Sequence, residues 1–546
     1  MKNFASFTLL FAFAISFSAC NEKPSQQAEP SPIQKLVDQY AEVELTTDLS
    51  VLTEKEKQML PILIEVADIM EELFWKDAIG DKTEFLSRLT DPAVVAYARI
   101  NYGPWDRLDN NKAFVKAYGE KPKGANFYPA NMTKEEFDAL QDERKTDWYT
   151  TIQRDDSGQL VVVPFHIAYK EQIEKAAELL QKAAELAENA GLKKHLELRA
   201  TALLTDDYLA SDLAWMDMKT NTIDFVVGPI ETYEDALYGY KASHAGQILV
   251  KDKVWSEKLS KFAFLLPRLQ KALPVPLEYK AEKANANADL NAYDVVYSAG
   301  DCNAGSKNIA INLPNDPRVH AQKGSRKLQL KNAMKAKFDQ ILVPIANVLI
   351  DESQLKNITF DAFFENVMFH EVAHGLGIKY TLKDHESVRK VLKDTYTSIE
   401  EGKADILGLF MITKMAEWGE LDADKLMDNY VTFMAGIFRS VRFGAASAHG
   451  KANMIRFYFF EEQGAFSRNP ETGTYSVNFD KMRVAMNELG KQILIIQGDG
   501  NYEAAEQMIA EKGFIREDLQ KDLNRVNNAG IPKDIVYKQG AKVMGL

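Results

Sequence analysis

The stretch that most constrains this chain runs from Phe360 to Gly377: Phe-Asp-Ala-Phe-Phe-Glu-Asn-Val-Met-Phe-His-Glu-Val-Ala-His-Gly-Leu-Gly. Its spacing predicts a helix capped by Asp361 and ended by Gly375 and Gly377. On a helix His370 and His374, four residues apart, project from one face about one turn apart. Phe363 and Val367 extend that stripe, so the face that carries the imidazoles also packs into the protein. Glu371 lies roughly 100° round the axis. From there its carboxylate reaches a water beside the imidazoles but is badly placed to join them as a ligand. His-Glu-x-x-His with this division of labour is the arrangement of zinc hydrolases: two imidazoles for the ion and one carboxylate as general base. With only eight histidines in 546 residues, the pairing is uncommon by chance.

A catalytic zinc takes three protein ligands and keeps one position open. In one large class the third is a histidine in His-Glu-x-x-His-x-x-Gly-x-x-His. Gly377 fits that pattern, but Tyr380 stands where the histidine belongs. Downstream, Ser398-Ile-Glu-Glu-Gly-Lys-Ala-Asp places Glu401 and Asp405 four apart on a second predicted helix. One carboxylate of such a pair can bind the ion while the other orients a ligand histidine. Ser398 and Glu401 also fit a capping box, a purely structural use of the same glutamate.

The rest of the chain sets the context. A net charge of -13 argues against nucleic-acid binding, which needs a basic surface. With 27% charged and 46% hydrophobic residues the composition is that of a folded globular protein. Residues 1–20 read as a signal peptide: Lys2 followed by an apolar run too short to span a bilayer, ending in Phe-Ser-Ala-Cys with Cys20 as a lipidation site. Residues 21–34 form a polar tether. Residues 35–224 are mainly helical, with a helical hairpin broken near Gly191. Residues 225–350 are rich in short β-branched runs, and residues 351–546 are helical and carry the metal motif. Cys302 is the other cysteine, so no disulfide joins core cysteines. The expected location is that of an exported bacterial lipoprotein, held to a membrane by its N-terminal lipid alone.

Four further segments add to the histidine helix: Ile230-Glu-Thr-Tyr-Glu with Gly246-Gln-Ile-Leu-Val after it, Asn312-Leu-Pro-Asn-Asp, Glu400-Glu-Gly-Lys-Ala-Asp, and His449-Gly-Lys-Ala-Asn. In this order they resemble the motifs of the dipeptidyl peptidase III family of zinc exopeptidases. The chain departs from the family pattern in four ways. Its zinc histidines are one residue closer than is typical, the loop between His374 and Glu401 is much shorter than usual, Asp405 stands for a glutamate, and Asn453 stands for an arginine.

The resemblance implies an α+β fold of two lobes, one mostly helical and holding the zinc, the other built around a small β-barrel, with the active-site cleft between them. It implies one zinc per chain on His370, His374 and Glu401, with Glu371 as general base. Asp405 and Glu400 are then the carboxylates that orient the histidines, and Tyr233 and His449 are donors to the oxyanion. By family position Glu231, Asn312 and Asn315 hold the N-terminal amine and backbone of a peptide substrate. The expected activity is release of dipeptides from short peptides. The alternatives are a zinc hydrolase acting on longer peptides or a non-peptide amide, and a surface lipoprotein that binds without turnover.

Overall fold

The computed structural model describes residues 30–283 and 289–546; Cys20 and the leader lie outside them. Among the described residues no helix is long and apolar enough to cross a membrane.

The largest sheet is built from β1 (Ile223–Glu231), β2 (Ser243–Lys251), β3 (Asp289–Gly300), β4 (Ala310–Leu313) and β5 (Arg326–Leu330). Its order is β1-β2-β3-β5-β4, antiparallel except for the parallel β3/β5 pair. Every residue of β2 is buried, as expected of a central strand covered on both faces. Helix α1 (Glu54–Ala78) lies across it. Gly246 permits this, because a Cβ there would stand 3.0 Å from Ala67 Cα. Behind α1 pack α2 (Lys170–Leu186) and α3 (Ala190–Thr205). The break between α2 and α3 falls at residues 187–189, near Gly191 as expected. Asn189 caps α3, its side chain accepting from Leu192 N, and Gly191 lies inside the helix.

The sheet is open rather than a closed barrel: among the described residues β1 and β4 are edges not hydrogen-bonded to each other. Their side chains nevertheless converge. Val226 and Ile230 share one cavity wall with Ala310 and Ile311, and Asn315 Nδ2 donates to Ile230 O at 3.0 Å.

Two large hydrophobic cores divide the molecule. One lies between the sheet and α1–α3. The other is formed by α4 (Phe360–Ala373), α5 (Tyr396–Glu417), α6 (Leu426–Val441), α7 (Ala448–Glu462) and α8 (Phe479–Asp499). The C-terminal strand Asp534–Lys538 returns to pair in parallel with Tyr40–Glu44, tying the two ends of the described chain together.

Candidate metal centre

Helix α4 is capped two residues before the expected position. Thr359, not Asp361, is the N-cap, its hydroxyl accepting from Ala362 N, and Asp361 falls in the first turn. The shift leaves the histidines where the pattern put them, near the C-terminal end of α4. Helix α5 begins at Tyr396 behind Thr395. Ser398 is therefore inside the helix, and the capping-box use of Glu401 does not occur. The two helices touch at Gly408, where a Cβ would lie 2.9 Å from His370 N and 3.0 Å from Phe369 C. That close crossing sets the carboxylates of α5 against the imidazoles of α4.

The imidazoles are held from behind. His370 Nδ1 lies 2.8 Å from Asp405 Oδ1, and His374 Nδ1 lies 3.0 Å from Glu400 Oε1. A carboxylate acceptor at each Nδ1 fixes the proton there and leaves each Nε2 with its lone pair directed inward. Both Nε2 atoms face Glu401 Oε2, at 3.4 and 3.8 Å. Two ligands at about 2.0–2.2 Å from one tetrahedral ion stand roughly 3.3 Å apart. All three donor atoms lie within 4.8 Å of one another. Glu401 Oε2 is buried and meets no donor in hydrogen-bonding geometry, although His449 Nδ1 lies 3.1 Å away. A buried carboxylate oxygen without a donor is costly. The donor set and this orphaned oxygen fit a zinc ion.

The charges agree. Burial alone would raise Asp405, but Arg456 and His370 bring it down to about 2. Burial likewise opposes ionisation of Glu400, which His374 and Lys403 hold at about 2. Glu401 is also desolvated, yet the surrounding histidines keep it well below the usual carboxylate range. Burial works against a charge on His370, but Asp405 and Glu401 lift it to about 10, so a cation would bind by displacing the proton from Nε2 while the one on Nδ1 stays with Asp405. The same carboxylate field attracts a divalent cation.

Beside His370, a cavity of about 360 Å³ is lined by His370, Glu371, Asp405, His449, Asn453 and Arg456, among others. His449, on α7 just after the Ser447 cap, has its side chain 62% exposed and so stays open to a ligand. Glu231, Tyr233 and Asn312 line a different cavity of about 300 Å³, shared with Asp301 and Asn308. A bulge in β1 between Pro229 and Glu231 sets the aim of Glu231. Burial raises its carboxyl, with Asn315 pulling the other way. Asn315 belongs to neither cavity wall and anchors β1 instead. Tyr233 is 84% exposed. The segment from Asn308 to Leu313 runs between the cavities, with Ile309 on the histidine side. Tyr380, at the place of the third histidine, stacks on His385 and takes no part.

Three residues at the centre escaped the sequence reading. Arg456 donates to Asp405 and to Asn453 Oδ1. Arg456 stands three residues after Asn453, on the same helical face. Lys403 bonds Glu400 Oε1 at 2.7 Å and Leu376 O at 2.9 Å, so it braces the carboxylate behind His374. Lys327 of β5 bonds Glu371 O at 2.7 Å and lies 3.6 Å from Glu371 Oε2. The i, i+3 spacings of Arg456 and Lys403 were available signals; for Lys327 there was none.

The profile of Peptidase family M49 matches residues 133–387. The solved structure of DPP III from Caldithrix abyssi superposes with a TM-score of 0.88 at 40% identity, covering 93% of this chain and 99% of that one. This chain belongs to the dipeptidyl peptidase III family. It is a metallopeptidase of family M49. Dipeptidyl-peptidase III from Corallococcus sp. strain EGB is similar at 36% identity and a TM-score of 0.75, over 93% of this chain and 96% of that one. Nudix hydrolase 3 of Arabidopsis thaliana is 32% identical over 93% of this chain and 74% of its own length. Dipeptidyl peptidase 3 of Mus musculus is 24% identical over 43% and 32% respectively. The family profile stops before Glu400, so the carboxylate half of the centre rests on the crossing of α4 and α5.

Proposed function

We propose that this peptidase holds one zinc ion on His370, His374 and Glu401 and releases dipeptides from the free N-terminus of short peptides. The substrate lies in a cleft between a helical lobe and a sheet lobe. The observation that carries the reading is the convergence of two imidazole Nε2 atoms on a buried Glu401 oxygen that has no hydrogen-bond donor. When bound, zinc supplies a Lewis acid that polarises a carbonyl and lowers the pKa of water to about 7. Asp405 and Glu400 keep the histidine tautomers that this requires. Glu371 takes the proton of the attacking water and passes it to the leaving amine. Lys327, beside Glu371, steadies that carboxylate. His449 is the donor best supported for the oxyanion; Tyr233 contributes once a substrate bridges the two cavities. Glu231, with a half-buried carboxyl, suits a substrate ammonium, and Asn312 and Asn315 shape the strand edge beside it. We also propose export and lipidation at Cys20, supported by the apolar leader ending in Ser-Ala-Cys.

The test joins metal analysis to peptide cleavage. Glu401→Ala should lose most of the zinc, and Glu371→Gln should keep it and lose turnover. A free tetrapeptide should be cleaved at least about tenfold faster than its N-acetylated form, the scale of a lost hydrogen bond to a charged group. Full zinc and activity in Glu401→Ala rejects the ligand set. Equal rates on the two peptides reject dipeptide release and leave a zinc hydrolase of longer peptides or other amides.

A further inference from the structure

Arg439 lies near the C-terminal end of α6, on the wall common to two cavities. One is the cavity of about 360 Å³ that holds His370, Glu371 and His449. The other, about 780 Å³, is bordered by Lys337, Arg442, Lys533 and Asp534. Neighbouring buried cations have acceptors. Arg456 has Asp405 and Asn453, Arg442 donates to Ile531 O and Pro532 O at 2.8 and 2.9 Å, and Lys337 pairs with Asp534 at 2.9 Å. Arg439 differs. Its Nε is buried without a hydrogen-bond partner, as are those of Arg442 and Arg456, but among the described residues its other guanidinium nitrogens have no protein acceptor either and no carboxylate stands within ion-pair distance of it. It rests over the face of Phe363, 5.6 Å from the ring centroid, and feels Asp534 only at longer range.

A guanidinium has five donors in a planar fork and keeps its charge in any protein environment. Held over an apolar ring with open donors, it is preorganised for a planar anion that arrives with the substrate. We propose that Arg439 binds a carboxylate on the leaving side of the scissile bond, namely the C-terminal carboxylate of a short peptide. This rests on the hydrolytic reading of the histidine cavity. The polarity is consistent along the path. Glu231 lines the cavity on one side of the segment Asn308–Leu313, and Glu371 and Arg439 line the cavity on the other. An ammonium at Glu231 and a carboxylate at Arg439 would read both ends of one peptide by opposite charges. A longer chain would place an internal amide at Arg439 and leave the guanidinium unpaired, so the pair of contacts selects short, free-ended peptides.

The test uses the metal-loaded full chain with one tetrapeptide as free acid, as C-terminal amide, and as an amide ending in glutamate. Wild type should cleave the free acid at least about tenfold faster than either amide, the scale of one charged hydrogen bond. Arg439→Gln should bring the free acid down to the rate of the plain amide and leave both amides unchanged, with Arg439→Lys between. Equal rates on acid and amide by wild type overturn the proposal. So does an Arg439→Gln protein slowed equally on all three, since that marks a structural role. An advantage confined to the glutamyl amide assigns the site to an acidic side chain and overturns the terminal assignment. Calorimetric binding of the same peptides to Glu371→Gln separates this site from the hydrolytic reading. An Arg439-dependent preference for the acid there supports the carboxylate site even if wild type cleaves nothing, and no preference refutes it.

Discussion

Asp405 serves two partners, and replacing it by alanine should separate their contributions. It accepts from His370 Nδ1 at 2.8 Å and from Arg456, whose side chain is 6% exposed. Loss of a carboxylate that orients a ligand histidine weakens metal binding about 10–100-fold, or about 1.4–2.8 kcal/mol. Removing one partner of a buried ion pair costs about 3–5 kcal/mol; Asn453 Oδ1 remains as an acceptor for Arg456, so the low end, about 3 kcal/mol, is expected. Adding Arg456→Met to Asp405→Ala removes the stranded charge and keeps apolar volume against Phe433, which the guanidinium now covers at 5.0 Å. Stability should then recover by more than half, while metal affinity stays low because nothing restores the orientation of His370. Stability is read by denaturant titration of the metal-free proteins, since bound metal would add its own stabilisation. Affinity is read by competition with a chromophoric chelator. If affinity returns together with stability in the double variant, Asp405 acts only as the counter-ion of Arg456 and the reasoning fails.

Gly408→Ala puts a Cβ against the backbone of His370 and Phe369, which cannot rotate away. The variant should lose about 1–3 kcal/mol and bind metal more weakly; unchanged melting and metal titration would contradict the crossing of α4 and α5. His195 is buried and contacts Ser211 O and Phe225 O at 3.3 Å. Burial and then Arg199 lower its pKa from 6.5 to about 4. Between these values the unfolded chain takes up a proton that the fold refuses. Stability should therefore fall as pH drops from about 6.5 to 4, and less steeply in His195→Gln, measured by urea midpoints across that range. Metabolic labelling with a fatty acid should mark the wild type and miss Cys20→Ser; equal labelling of both, or of neither, rejects lipidation.

Much of the candidate metal centre was legible because helical periodicity is a local property. His370, Glu371 and His374 follow from a fixed 100° step per residue, and Glu401 and Asp405 from the same rule on a second segment. Helix ends were less legible. Thr359 and Asp361 can both cap, and which hydroxyl or carboxylate meets a free N–H depends on the entering chain. The break between α2 and α3 falls near Gly191 as expected, but Asn189 rather than the glycine supplies the cap. The barrel expected from the resemblance is an open sheet whose edges approach through side chains, because strand pairing is decided by partners far apart in sequence.

By itself the sequence determined the chemistry on offer: two imidazoles and a general base on one helix, two carboxylates on another, and the order of motifs that marks the family. Only the tertiary structure decided which carboxylate meets which nitrogen. Asp405 faces His370 and Glu400 faces His374, because α4 and α5 cross in contact at Gly408. It also delivered Arg456 to Asp405, Lys327 from a strand to Glu371, and Arg439 to a wall beside the histidines without an acceptor of its own. Spacing along a helix follows from backbone geometry, whereas contacts between elements depend on how whole surfaces pack, which no short window of sequence contains.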